Sequence, residues 1–174
     1  LRFSVLVPIS LLTYAADSFT LPRNESFSIT PTIVGDFPLF SVFDGALPNG
    51  LQLDTANGTI FGVPTESVSN RQVMLKAENL FGVKTVFLTF TVLERLSAIT
   101  YEESVFVLPR DSEFATSCAV VGEGATFSLS SGTLPLGLSL HATTGRISGI
   151  PIESATQRQV VIQAENILGS VTTT

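Results

Sequence analysis

The chain has 174 residues, 44% of them hydrophobic and only 14% charged, with a net charge of −6, one Cys, one His and no Trp. An acidic balance without any Lys/Arg cluster gives no electrostatic footprint for nucleic acid or for an anionic membrane, so neither is expected as a partner. No apolar run reaches the roughly 20 residues that a membrane-spanning helix needs, so membrane insertion is not expected.

The first residues imitate a secretory signal, since Arg2 precedes the apolar run Phe3 to Leu12 and Ala15-Ala16 resembles a cleavage site. The same stretch, Leu1 to Tyr14, recurs inside the chain as LTFTVLERLSAITY from Leu88 to Tyr101, where it cannot be a targeting segment. Beyond it, apolar runs separated by Gly and Pro breaks predict strands at Ser18 to Leu21, Ser26 to Val34, Leu39 to Phe43, Leu51 to Leu53, Thr59 to Phe61, Arg71 to Glu78 and Val83 to Leu93. The two longest alternate with a period of two: Val73, Leu75 and Ala77 interleave with Gln72, Met74 and Lys76, and Leu88, Phe90 and Val92 with Thr89 and Thr91. That is the pattern of strands buried on one face, and seven short strands predict a sandwich. Two sequons, Asn24-Glu25-Ser26 and Asn57-Gly58-Thr59, fall in predicted turns. In an extracellular setting Asn24 and Asn57 are the expected acceptors of N-linked glycans.

Sliding the sequence by 87 residues aligns Leu1 to Phe87 with Leu88 to Thr174 without a gap, and about 36 of the 87 pairs are identical. LPNGLQLDTANGTIFGVPTES (47–67) lies over LPLGLSLHATTGRISGIPIES (134–154), and RQVMLKAENLFG (71–82) over RQVVIQAENILG (158–169). The second unit is therefore expected to repeat the strand pattern from Ser104 onward. Glu66/Arg71 and Glu153/Arg158 recur across one turn and read as local ion pairs, and Glu78-Asn79 and Glu165-Asn166 recur with them. Cys118 has no partner for an intramolecular disulfide and reads as a small core hydrophobe. His141, aligned with Asp54, reads as a surface turn residue. One Cys and one His supply too few ligands for zinc and no triad, so no catalytic, metal or cofactor residue is assigned.

The string L-P-x-G-L-x-L-x-x-x-x-G-x-I-x-G-x-P followed by A-E-N-x-x-G, present in both copies, resembles the immunoglobulin-like repeats related to the dystroglycan-type cadherin-like domain. The resemblance covers essentially the whole chain. It implies an all-β fold of two tandem immunoglobulin-like (cadherin-like) antiparallel β-sandwiches, used outside the cell or at its surface in adhesion and arrays. Calcium-dependent cadherins bind the ion at Asp-rich junctions, whereas the junction here, LERLSAITYEES, offers only Glu94, Glu102 and Glu103.

The repeat frame falls inside a strand. The last strand of the first unit runs to Leu93, while Thr174 corresponds to Phe87, and the equivalent of LTFTVL stands as LRFSVL at residues 1–6. Residues 1–7 are accordingly read as a strand of a preceding or neighbouring module, 8–94 as the first sandwich and 95–174 as the second, lacking the end of its last strand. Leu1, Phe3, Val5 and Leu6 are the expected assembly strand. The function expected is a structural module of an extracellular fibre or tandem array, joined head to tail by strand continuity or donation, with itself as partner. The competing expectation is an adhesion or binding module for glycans or surface proteins.

Overall fold

The computed structural model describes all 174 residues as strands, turns and loops, with no helix. The chain divides into two compact units, Leu1–Leu93 and Glu94–Thr174.

The first unit holds β1 (Leu11–Thr13), β2 (Ser18–Pro22), β3 (Phe27–Ile29), β4 (Thr32–Val34), β5 (Leu39–Gly45), β6 (Leu51–Leu53), β7 (Ile60–Gly62), β8 (Val68–Asn79) and β9 (Gly82–Leu93). One layer is the four-stranded sheet β2-β9-β8-β5, and the facing strands are β3-β7-β6 and the pair β1-β4. Every pairing is antiparallel except β2 with β9, which run parallel from Ser18 beside Thr89 to Pro22 beside Leu93. The period-two pattern of β8 and β9 is realised as expected: Val73, Leu75, Ala77, Leu88, Phe90 and Val92 point inward and are buried, against Phe40, Ile60, Leu12 and Tyr14. Phe19 stacks on Phe90 and meets Phe27 edge-on, so three rings seal the end of the core beneath β2.

Two elements of this unit differ from the strands its sequence predicts. The single strand expected over Ser26 to Val34 is broken at Thr30-Pro31 into β3 and β4, which join different sheets. Pro31 lacks the N–H that a continuous ladder would use. The strand β1, inside the stretch resembling a signal, was not anticipated; it pairs with β4 from Leu11 beside Val34.

The second unit holds β10 (Ala98–Tyr101), β11 (Phe114–Thr116), β12 (Cys118–Val121), β13 (Thr126–Ser131), β14 (Leu138–Leu140), β15 (Ile147–Gly149), β16 (Val161–Asn166) and β17 (Gly169–Thr173). Its sheets are β13-β16-β17, β11-β15-β14 and β10-β12, around Leu96, Ile99, Phe127, Ile147, Ile162 and Ala164. The pattern does not simply resume at Ser104. The equivalent of β1 comes earlier, as β10, and the equivalent of β2, residues 105–109, forms no strand.

Both units are tied at the same place by the Asn of the A-E-N turn. Asn79 Nδ2 donates to the carbonyls of Val7 and Asp36, each at 2.8 Å, while its Oδ1 accepts from Phe81 N at 3.0 Å. Asn166 Nδ2 donates to Glu123 O at 2.8 Å and its Oδ1 accepts from Leu168 N. The residue at the entry of each unit is held by the facing acid: Val7 N donates to Asp36 Oδ2 at 2.9 Å, and Glu94 N to Glu123 Oε2 at 3.1 Å. Backbone N–H groups of Asp36 and Glu123 return the bond to Val7 O and Glu94 O.

Candidate functional site: an unpaired edge in the second unit

An 87-residue offset maps every strand of the first unit except β2 onto a strand of the second, and the difference lies along one line. In the first unit the second half of β9, Leu88 to Leu93, lies between β2 and the first half of β8. It pairs with β2 in parallel and with β8 antiparallel, Leu88 beside Val73, Phe90 beside Arg71 and Val92 beside Val68. In the second unit β17 ends at Thr173, the equivalent of Val86. The two segments that would flank a continued strand, 105–109 and 155–160, both lack ladders. Residues 154–159 are exposed throughout, and so are Val105, Phe106 and Val107.

The core follows suit. Leu21, Leu51 and Val73 are buried in the first unit, whereas Leu108, Leu138 and Val160 are only half-buried in the second. Phe106 meets Phe114 edge-on at 5.3 Å, repeating the Phe19–Phe27 contact; the position equivalent to the third ring, Phe90, would follow Thr174. Within residues 94–174, the segments 105–109 and 155–160 thus flank a line on which no strand lies, with Phe106, Leu108 and Val160 beside it.

Leu1, Phe3, Val5 and Leu6 form no strand within the chain, and none joins either core. Phe3 is 86% and Val5 94% exposed, whereas their equivalents Phe90 and Val92 are wholly buried. Leu6 is half-buried, and the chain is first anchored at Val7. The alternation of residues 1–6 is legible in the sequence, whereas the lack of a ladder at 155–160 is not.

The other singled-out residues lie elsewhere. Asn24 sits at a corner after β2, exposed and with φ of 63°, and its N–H donates to Pro64 O. Asn57 closes the β6–β7 hairpin: its Nδ2 donates to Asp54 Oδ2 and its Oδ1 accepts from Thr59 N, both at 2.8 Å. In the second unit His141 takes over the turn, its Nδ1 accepting from the N–H groups of Thr143 and Thr144.

Glu66 accepts from Asn49 N at 2.8 Å and is paired with Arg71; Glu153 accepts from Leu136 N at 2.9 Å and is paired with Arg158. These bonds hold both carboxyls below their ordinary range, the backbone N–H contributing most. Burial pushes the Cys118 thiol up, and it packs against the second core.

Comparison with known proteins places this geometry in a family. No curated protein matches the chain significantly. Among solved structures it resembles the N-terminal four Ig domains of Dscam1, with a TM-score of 0.64 at 12% identity over 99% of this chain and 46% of that one. A three-Ig segment of titin gives 0.60 at 12% identity over 96% and 64%, and extracellular domains 3–5 of Drosophila OTK give 0.51 at 14% over 95% and 60%. The chain thus spans less than two thirds of each, and identities this low speak for the fold alone. The family described as "Putative Ig domain" matches twice, at residues 6–93 and 97–174, so the chain belongs to that family as two tandem copies.

Proposed function

We propose that the protein is a non-catalytic structural module of an extracellular or cell-surface array, with successive units joined head to tail through a shared strand. The observation that carries the reading is the open seam of the second unit beside 105–109 and 155–160, matched in sequence by the exposed, alternating Leu1, Phe3 and Val5. Transferring the register of the first unit puts Phe3 beside Phe106 in parallel and beside Arg158 antiparallel, with Leu1 beside Val160. Phe3 then supplies the missing third ring. A strand of this pattern can come from a following repeat or from another copy of the chain. The resemblance of the twice-repeated L-P-x-G-L string to dystroglycan-type cadherin-like repeats supports a place outside the cell.

Sedimentation of the 174-residue chain over a wide concentration range tests the reading. Concentration-dependent head-to-tail oligomers are expected, with residues 1–6 becoming protected from hydrogen exchange, and Phe3→Asp should abolish both. A chain that stays monomeric with residues 1–6 unprotected at every concentration overturns strand donation.

One observation favours a second reading, an adhesion module. The solvent face of the β5-β8-β9 sheet presents Leu39, Phe43, Met74, Val83 and Phe87, where the second unit has Thr126, Ser130, Val161, Ser170 and Thr174. Saturable binding to a glycan or surface protein, lost in Phe43→Asp but not in Phe3→Asp, would favour it.

A further inference from the structure

The two sequons differ in what their side chains already do. At Asn24 neither the side-chain amide nor the Ser26 hydroxyl holds a hydrogen bond, and both residues are exposed. The left-handed conformation of Asn24 belongs to the corner itself, because the equivalent Asp111 has φ of 61° and donates its N–H to Pro151 O in the same way. Asn is among the few residues with a side chain that enter this region readily. At Asn57 both ends of the amide are used, by Asp54 Oδ2 and Thr59 N, and the Thr59 hydroxyl lies 3.2 Å from that of Thr30.

The geometry points to Asn24 as the site of N-linked glycosylation, with Asn57 left bare. The assignment rests on the extracellular reading above. Transfer forms a bond from Asn24 Nδ2 to the anomeric carbon of a lipid-diphosphate-linked oligosaccharide; the bond from that carbon to the diphosphate oxygen breaks, the lipid diphosphate leaves, and one Nδ2 proton goes to a base. Asn24 surrenders that proton without loss of any contact. Asn57 must first leave the bonds that close its turn. Those bonds span six residues, and hairpins close in about 1–10 μs, whereas chains grow at about 5–20 residues per second, so the turn competes with the transferase as soon as it emerges. A glycan at Asn24 also projects from a loop corner, clear of both sheets.

The test is secretion of the 174-residue chain from a eukaryotic host behind a cleavable signal, followed by amidase release, which converts an occupied Asn to Asp, and peptide mapping. Occupancy at Asn24 alone is expected. Ser26→Ala, which leaves the Asn24 corner untouched, should give a bare chain. Asp54→Ala, which removes the acceptor holding Asn57 Nδ2, should add occupancy at Asn57. Glycan on Asn57 of the parent chain, a bare parent chain in the medium, or an Asp54→Ala chain still occupied only at Asn24 would each overturn the assignment. A bare secreted chain leaves the surface reading standing; that reading fails separately if labelling of intact source cells does not reach the native protein.

Discussion

Tyr14 and Tyr101 occupy equivalent positions and make the same contact, Oη donating to Gly58 O at 2.6 Å and to Gly145 O at 2.5 Å. Each hydroxyl thereby satisfies the carbonyl of a glycine held at positive φ in the hairpin turn across the core. Removing it by Tyr14→Phe should destabilise the first unit by about 1–2 kcal/mol, read from the urea midpoint at unchanged slope. The charged pair across the neighbouring turn sets a pH dependence. Glu66 and Glu153 have folded pKa values below the ordinary 4.5, so their contribution is complete above that value and is lost as pH falls through the lowered folded values. Acid titration of stability should therefore show a loss below about pH 4.5 that Glu66→Gln, Glu153→Gln removes in part; an unchanged acid limb would refute that assignment.

At the scale of elements, the repeated glycines and the A-E-N turn have different duties. Gly50 and Gly137 stand at positive φ, and a Cβ on either would meet the carbonyl oxygen of Val63 or Ile150 at 1.9 Å. Gly137→Ala should consequently cost more than the about 1 kcal/mol ordinary for a glycine replacement, seen as a lowered midpoint for the second unit. Asn79→Ala removes two donated bonds and one accepted bond at the entry of the first unit, and a loss on the order of 2–3 kcal/mol is expected, with faster hydrogen exchange at Asp36 and Phe81. Most of this was legible in sequence, because period-two burial in β8 and β9 and the ordered Gly/Pro breaks each have one cheap structural solution. The break at Pro31 was readable from the missing N–H, yet the apolar run across it concealed the switch of sheet. β1 was hidden because it lies at the end of the long apolar run Phe3 to Leu12, with no Gly or Pro adjoining it as Gly50 adjoins the equally short β6 and Gly62 ends β7. The parallel β2–β9 pairing was not legible either, since alternation along one strand carries no information on the direction of its neighbour.

For the whole molecule the decisive quantity is how unequal two units of like sequence become. Leu88, Phe90 and Val92 are wholly buried in the first core, and side chains of this kind contribute about 1.5–3 kcal/mol each on burial. Their equivalents would follow Thr174, and within residues 94–174 Leu108, Leu138 and Val160 are less covered than Leu21, Leu51 and Val73. In dilute solution the second unit should unfold at distinctly lower denaturant than the first, giving two transitions that hydrogen exchange assigns to residues 94–174 and 1–93. A peptide Leu-Arg-Phe-Ser-Val-Leu added in excess should raise the lower midpoint only, by the logic that a ligand of the native state shifts stability with its concentration. Replacing its Phe by Asp should erase the shift, because the ring must enter the seam beside Phe106. If both units unfold together and the peptide moves neither midpoint, the exposed seam is not an acceptor, and the exposed alternation of residues 1–6 requires another cause.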